Sequence, residues 1–493
     1  MKLTKWQEWG IIAGLLILIL PYIILFFYAH PQSDDYSFAI LRNDLDVFAF
    51  VKHLYLTWSG RYFAMFLGAL NPWVYKSVLG YQISLLFYFL IFYSSIHFFL
   101  KSLLNNSINK RKLHIFSLFS LFLFMQTSPD LYEIFYWYPG VSAYQISFSV
   151  FLLFLAQILR FVNNAITKPI FIIAIILLSF ILAGLSELFI PIMIFTFTYF
   201  IVFYKHWAIT KRRAMIFAFS IYFLFSLLFL ISPGNLERLN VASVSNSFST
   251  ILNYSLKSYL LINFNFIQNP VFIIALLTLL LLIINPLQNS KNISLPKVIN
   301  PIYLIAVSHL LIFTFISFLI PLIKEVPSGR IFNIIGFVYI ITTVLNILNI
   351  ALYLKKEKPV LYNIPNWIFS MLVSILLIFT LTGIYPISTS KFLNAPNSQK
   401  SKHIIITSNY TNAIYTVFYD AESFKKDYES WDNHLINSQK LGLKTDTISA
   451  LPIHSKIIFR SYDYTYSNTW IKNWETSFYG LDSLYLKPLT PNP

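Results

Sequence analysis

Apolar runs recur along most of this chain, at roughly 10–29, 78–100, 114–127, 144–161, 169–185, 188–204, 214–231, 270–285, 302–323, 331–354 and 366–385. The longest have the length a helix needs to cross a bilayer's hydrocarbon core. Inside that core every backbone polar group must be paired within the segment, so the runs read as helices rather than strands. Hydropathy therefore predicts a polytopic all-α membrane protein with about eleven spans. Composition agrees: 57% of the 493 residues are hydrophobic and 11% charged, with mean hydropathy +0.65. The net charge of +16 does not point to nucleic acid, because basic residues fall in short clusters between apolar runs. There is no cysteine, which excludes disulfides, thiolate metal sites and thiol nucleophiles. Segment 10–29 follows Lys2 and Lys5 but ends at Phe27-Tyr28-Ala29 without a small-x-small site, so it reads as an uncleaved first span.

Charge sets the expected orientation. With the N-terminus inside, the inner loops carry Lys101, Lys110, Arg111 and Lys112; Arg160 and Lys168; Lys205, Lys211, Arg212 and Arg213; Lys291 and Lys297; Lys355, Lys356 and Lys358. That is the positive-inside pattern, and it puts the C-terminus outside. The stretch 61–76, broken by Pro72, reads as a helix in the outer interface, with Trp58, Trp73 and Tyr75 at headgroup level. Residues 1–385 form the membrane domain, with a first outer loop at 30–77. Residues 386–493 are polar and read as a small extracytoplasmic α/β domain after the linker Ser388–Lys402. Strands are expected at His403–Ser408, Ile414–Tyr419 and Lys456–Tyr462, and a helix over 421–441.

The unusual polar residues fall on the outer side. Asp34 and Asp35 follow the first span within Ser33-Asp34-Asp35-Tyr36, where they can serve as general base, as ligands of a divalent ion such as Mg2+ or Mn2+, or as a helix cap. Glu187 lies at the turn of the apolar hairpin 169–204, which makes it either a functional acid or one reaching back to water. Arg61, Arg238 and Arg330 each lie close to a glycine, and Asn235 shares a motif with Arg238. They read as phosphate binders, with interfacial anchoring as the alternative. Tyr36, Glu133, Tyr136 and Trp137 combine aromatic rings with an acid, as a sugar-binding surface does, although an interfacial belt has the same composition. His97 and His309 read as structural.

Together these residues resemble the GT-C class of membrane glycosyltransferases, which includes protein O-mannosyltransferases, aminoarabinose transferases and O-antigen glucosyltransferases. The resemblance rests on the acid pair directly after the first span, the interfacial segment, and many spans with basic inner loops, over about residues 1–385. Ser-Asp-Asp-Tyr, Ser-Gly-Arg-Tyr, Ser-Pro-Gly-Asn-x-x-Arg and the tail Trp474–Leu484 also look like an uncharacterised family of bacterial membrane proteins near these enzymes. The resemblance implies a sugar donor on polyprenyl phosphate, a glycan or lipid acceptor, an outer-loop acid as base or metal ligand, and a bacterial cytoplasmic membrane. Inverting displacement would use Asp34 or Asp35 as base and Arg330, with Arg238 or Arg61, on the leaving phosphate. A transporter or flippase for lipid-linked saccharides predicts charges strung through the spans, which these runs lack. A saccharide polymerase or ligase would also use outer arginines.

Overall fold

The computed structural model describes residues 4–104, 108–163, 169–203, 209–241, 247–267, 269–287, 300–323, 329–357, 366–382, 385–386, 405–406, 408–449, 451, 457–458 and 469–487. Helices make up 86% of it, in an all-α, multi-pass membrane architecture. Among the described residues six helices are long and apolar enough to cross a bilayer: Lys5–Tyr28, Val78–Leu104, Tyr138–Phe161, Lys211–Leu230, Pro301–Ile320 and Gly329–Leu354. Phe248–Ile267 and Pro270–Leu282 meet at 68° and would supply a seventh as a bent pair. Runs expected at 169–185, 188–204 and 366–385 are helical but short, as Pro169–Ala183, Phe189–Thr198 and Trp367–Thr382. The expected count of eleven thus exceeds the number of full-length helices.

The first helix, α1 (Lys5–Leu25), starts at a capping box in which Thr4 and Gln7 bond each other's backbone N–H. After a short turn come α2 (Asp34–Asp44), α3 (Val47–Thr57) and α4 (Tyr62–Ala69), which make up the first loop. A single 3-10 turn, Pro72–Tyr75, completes that loop where one interfacial helix was expected. Trp73 is buried there and stacks on Phe478, so it packs inside the protein, whereas Trp58 and Tyr75 are exposed.

Two long helices follow, α5 (Val78–Leu104) and α6 (Lys110–Thr127), the latter capped by Asn109. Helix α6 runs parallel to α1. Glu8 of α1 pairs with Arg111 at one end, and Tyr22 bonds Gln126 at the other, 3.2 Å away. This pairing fixes the two ends of the bundle. A one-turn α7 (Tyr138–Gly140) then leads into α8 (Ile146–Asn163), α9 (Pro169–Ala183), α10 (Phe189–Phe203), α11 (Ile209–Leu230) and the short α12 (Pro233–Val241). The helices that follow are α13 (Phe248–Ile267), α14 (Pro270–Leu287), α15 (Pro301–Ile323), α16 (Gly329–Glu357) and α17 (Asn366–Thr382). Phe92, Phe124, Phe148 and Phe337, from α5, α6, α8 and α16, form the centre, with ring centroids 4.7–6.2 Å apart. Such ring pairs add about 0.5–1.5 kcal/mol each beyond area burial.

The C-terminal stretch folds onto the end that carries the first loop. It holds α18 (Asn409–Tyr415), α19 (Ala421–Lys440) and α20 (Thr469–Phe478). The strand pair β1 (Tyr385–Pro386) and β2 (Ile405–Ile406) is antiparallel, and β3 (Thr445–Ser449) and β4 (Ser483–Lys487) pair in parallel. Residues 414–419, expected as a strand, are helical instead, passing from α18 into a π turn at Thr416–Asp420. The apolar side chains there repeat on a helical face: Tyr410 and Ala413 are buried, as are Ala421 and Phe424 beyond the turn. The helix over 421–441 forms as expected. Of 456–462 only Ile457 and Ile458 are described, in a turn, and the linker Ser388–Lys402 lies outside the described residues.

Tyr428 joins this stretch to the first loop by bonding Tyr36 (2.7 Å) and the Pro31 carbonyl (3.0 Å). His30 packs between Phe424 and Tyr428, its Nδ1 2.9 Å from the Tyr28 carbonyl. Burial lowers His30 to about 4; the Tyr28 carbonyl opposes the fall and Lys425 adds to it. A folded-state value below the unfolded one means that the neutral ring's contribution is present above about pH 6.5 and is lost as pH falls toward 4. Protection factors in α19, which take out the pH dependence of intrinsic amide exchange, should therefore fall between pH 6.5 and 4, and His30→Phe should flatten that fall. An exchange profile with the same slope in both proteins would remove His30 from this role.

Candidate functional site

The first outer loop is held by its acids. Ser33 has φ 54°, in the left-handed region, and this turns the chain sharply from the end of the first span into α2. Ser33 makes no capping bond; Asp35 satisfies the turn instead. Its Oδ2 accepts from the Gln32 backbone N–H (2.8 Å) and the Tyr81 hydroxyl (3.1 Å), and its Oδ1 accepts from Asn71 Nδ2 (2.6 Å). Asp35 is fully buried. Burial pushes its carboxyl up to about 8, against the pull of the bonds from Gln32, Asn71 and Tyr81, while neighbouring Asp34 adds to the rise. The expectation that either acid would serve as base is thus divided by geometry. Asp35 ties the loop to Asn71 and α5, whereas Asp34, one residue earlier, is half-buried at the loop surface.

Arg61 is delivered by α4. The Phe63 and Ala64 N–H groups donate to the Gly184 carbonyl (2.8 and 3.1 Å), which anchors α4 on the turn between α9 and α10. Glu187 lies in that turn and takes both sides of the Arg61 guanidinium, with Nε 2.6 Å from Oε2 and Nη2 on Oε1. Arg61 also reaches the Tyr144 hydroxyl at 3.3 Å and lies over its ring.

Arg330 comes from the start of α16. Its backbone N–H donates to Glu133 Oε2 (2.5 Å), and Asn333 Nδ2 donates to the Asp130 carbonyl (2.6 Å). The Arg330 guanidinium lies 5.7 Å from the ring centres of both Trp137 and Tyr144. It is coupled electrostatically to Tyr144, Glu133, Asp34 and Arg61. Among the described residues no carboxylate forms an ion pair with it. Glu133 and Tyr144 sit in two π turns, Tyr132–Tyr136 and Val141–Gln145, on either side of Trp137. Such turns offset side chains from helical register and recur at functional sites.

The structure thus brings Asp34, Arg61, Glu133, Trp137, Glu187 and Arg330 to one end of the bundle, with Tyr144 between the two arginines. Other expected members have different roles. Tyr36 is buried among Trp73, Phe478 and Tyr479, and Tyr136 bonds the Tyr22 carbonyl (2.9 Å), so neither offers a face to a sugar. Asn235 accepts from the Gly60 N–H (3.0 Å) and donates to the Phe229 carbonyl (2.6 Å), which makes it a clamp between loops rather than a phosphate ligand. The Arg238 side chain lies outside the described residues. The glycines beside the arginines are not openings for a ligand. A Cβ on Gly329 would run into the Glu133 carboxylate, and one on Gly60 into the Phe229 carbonyl. Asn71, Tyr81 and Gln32 carry no motif that sequence reading would single out. The Asp130–Tyr144 stretch was visible by its density of aromatics.

An apolar cleft of about 120 Å3 lies deeper in the bundle, lined in part by Phe99, Phe148, Ile312, Phe315, Val338 and Thr342. Phe148 is one helical turn from Tyr144, and Val338 lies about 12 Å along α16 from Arg330. A divalent ion at the acid pair would have to share the Asp35 oxygens with the hydrogen bonds from Gln32, Asn71 and Tyr81. No protein-family model, no curated protein and no solved structure matches this chain.

Proposed function

We propose that this protein is a glycosyltransferase that moves a sugar from a polyprenyl-phosphate carrier to a glycan or lipid acceptor. It would work in a bacterial cytoplasmic membrane with the N-terminus inside and the site outside. Residues 386–493 would form an outer domain capping that site, and the short apolar helices would complete about eleven spans. The carrying observation is Arg330: a guanidinium with no ion-pair partner among the described residues, set over two aromatic rings and coupled to a half-buried carboxylate, Asp34. Below it, the apolar cleft suits a hydrocarbon chain.

In the proposed step Asp34 takes the proton of the acceptor hydroxyl, whose oxygen attacks the anomeric carbon. The bond from that carbon to the phosphate oxygen breaks, and its electron pair leaves with the lipid phosphate. Arg330 holds the phosphate through charge-assisted hydrogen bonds that strengthen as negative charge develops. Trp137 and Tyr144 back the Arg330 guanidinium with their ring faces. Sidedness is supported by charge. Lys101, Lys110, Arg111 and Lys112 collect at the end where Arg111 pairs with Glu8, whereas Asp34, Asp130, Glu133 and Glu187 collect at the other.

The test is transfer from a synthetic polyprenyl-phosphate sugar in membranes stripped of other transferases. Arg330→Ala should raise the donor KM about tenfold or more, because the phosphate loses its cation. An unchanged donor KM would remove Arg330 from the site. No turnover of any lipid-linked sugar by the unaltered protein would end this reading altogether.

A further inference from the structure

A second charged cluster lies at the opposite end of the bundle. His97 and Lys101 are one turn apart on α5, and Lys110 and His114 one turn apart on α6. The two imidazoles stack, with centroids 4.5 Å apart and planes inclined by 26°. Each is held from behind: the Tyr93 hydroxyl meets His114 Nδ1 at 2.9 Å, and the Ser117 hydroxyl meets His97 Nδ1 at 3.1 Å. That leaves each Nε2 as the atom available to a ligand. The four side chains, with Ile108 and Leu113, line a cavity of about 180 Å3. Among the described residues no carboxylate lines it. Glu8, which lies at the same end, is committed to Arg111 and Asn109. Two ammonium groups beside two stacked imidazoles, with no acid among the described lining residues, are arranged for an anion.

The neighbouring surface narrows the choice of anion. Ile83, Phe87, Leu90, Ser94, His97 and Lys101 follow one another at helical spacing on a single face of α5. The first three are exposed apolar side chains, each more than half exposed. The stripe therefore changes from hydrocarbon-facing to basic within about two turns, at the helix end. That is the profile of a lipid, with acyl chain against Ile83, Phe87 and Leu90 and headgroup at the four basic residues.

We propose that His97, Lys101, Lys110 and His114 form a binding site for the phosphate headgroup of an anionic membrane lipid, at the end of the protein remote from the candidate transferase site. The chemistry recognised is a phosphate oxyanion, which a soluble phosphate also carries, so the test must separate the two sources.

Full-length protein in neutral detergent is mixed with phosphatidylglycerol or phosphatidylcholine, and retained lipid is counted by native mass spectrometry. The unaltered protein should retain phosphatidylglycerol about tenfold better. Lys101→Gln with Lys110→Gln should abolish that preference, and His97→Gln with His114→Gln should reduce it. Lys426→Gln with Lys440→Gln, on exposed positions of α19, should leave it intact, which separates local headgroup binding from general charge. Inorganic phosphate should displace phosphatidylglycerol poorly, since it lacks the acyl contacts. Full displacement by inorganic phosphate would overturn the lipid assignment in favour of a soluble ligand. Equal retention of the two lipids, or a preference surviving both sets of substitutions in α5 and α6, would overturn the site. Lipid counts do not depend on sugar transfer, so failure here is distinct from failure of the proposed activity.

Discussion

Asp34→Asn should lower the rate of sugar transfer about a hundredfold or more while leaving the melting temperature and donor binding unchanged. Asp35→Asn should do the reverse and act chiefly on stability. The two acids are adjacent in sequence but differ in what surrounds them. Asp34 is half-buried and coupled to Arg330, so an amide there keeps the shape and loses the negative charge and with it the capacity to accept a proton. Asp35 is enclosed, and its oxygens meet three donors, from Gln32, Asn71 and Tyr81. An asparagine must point its NH2 at one set of these donors, leaving a buried bond unmade, at a cost of about 1–3 kcal/mol. Tyr81 also accepts from the Tyr138 N–H (3.0 Å), so the loss spreads toward Trp137. Measuring kcat, donor KM and thermal unfolding for both variants separates the roles. Full activity in Asp34→Asn would remove the proposed base, and an unaltered melting temperature in Asp35→Asn would deny that Asp35 organises the loop.

Much of this architecture is legible in the sequence because lipid permits few solutions. Apolar runs gave the helices, and charge sorted their ends: Glu8 and Arg111 meet at one end, Glu133 and Arg330 at the other. Glu187 stood out as an acid in a hydrophobic hairpin, and it does lie at the turn. What could not be read were pairings across long chain separations. Nothing local marks Arg61 as the partner of an acid 126 residues away, so it read as a free phosphate binder. Spacing could not divide Asp34 from Asp35, because the difference lies in Asn71 and Tyr81, which come from later elements. At Gly60 and Gly329, beside Arg61 and Arg330, the neighbour filling the space is the protein's own chain, which no local pattern shows. Among the described residues six helices have full spanning length where hydropathy expects eleven spans, because an apolar run marks a short helix as readily as a long one. The short β-branched and aromatic run 414–419 carries too little periodicity to separate strand from helix, and tertiary packing decided it.

Glu187→Gln should destabilise the folded protein by about 3 kcal/mol, and Arg61→Met should do so to a similar degree. The reason is the pair's setting. The two side chains are only 12% and 20% exposed, and the contact is bidentate. Removing either partner leaves the other charge buried without its counterion. Arg61 would keep only the Tyr144 hydroxyl and ring, and Glu187 would lose both of its described donors. Removing both charges together, as Arg61→Met with Glu187→Leu, should recover most of the loss, since apolar residues of similar size often replace a buried pair at little cost. The double variant also discriminates between functions. If the pair only braces α4 against the turn between α9 and α10, holding Tyr144 under Arg330, transfer should fall by less than about tenfold once stability returns. If Arg61 instead opens to grip the leaving phosphate, and Glu187 serves the reaction, the double variant should be stable and still lose transfer about a hundredfold or more. The bidentate geometry favours the brace, because a guanidinium with its Nε edge and Nη2 already on a carboxylate has a single nitrogen, Nη1, left to offer, and that one already faces Tyr144. Arg330, whose described neighbours are ring faces rather than an ion pair, is the cation left for the phosphate.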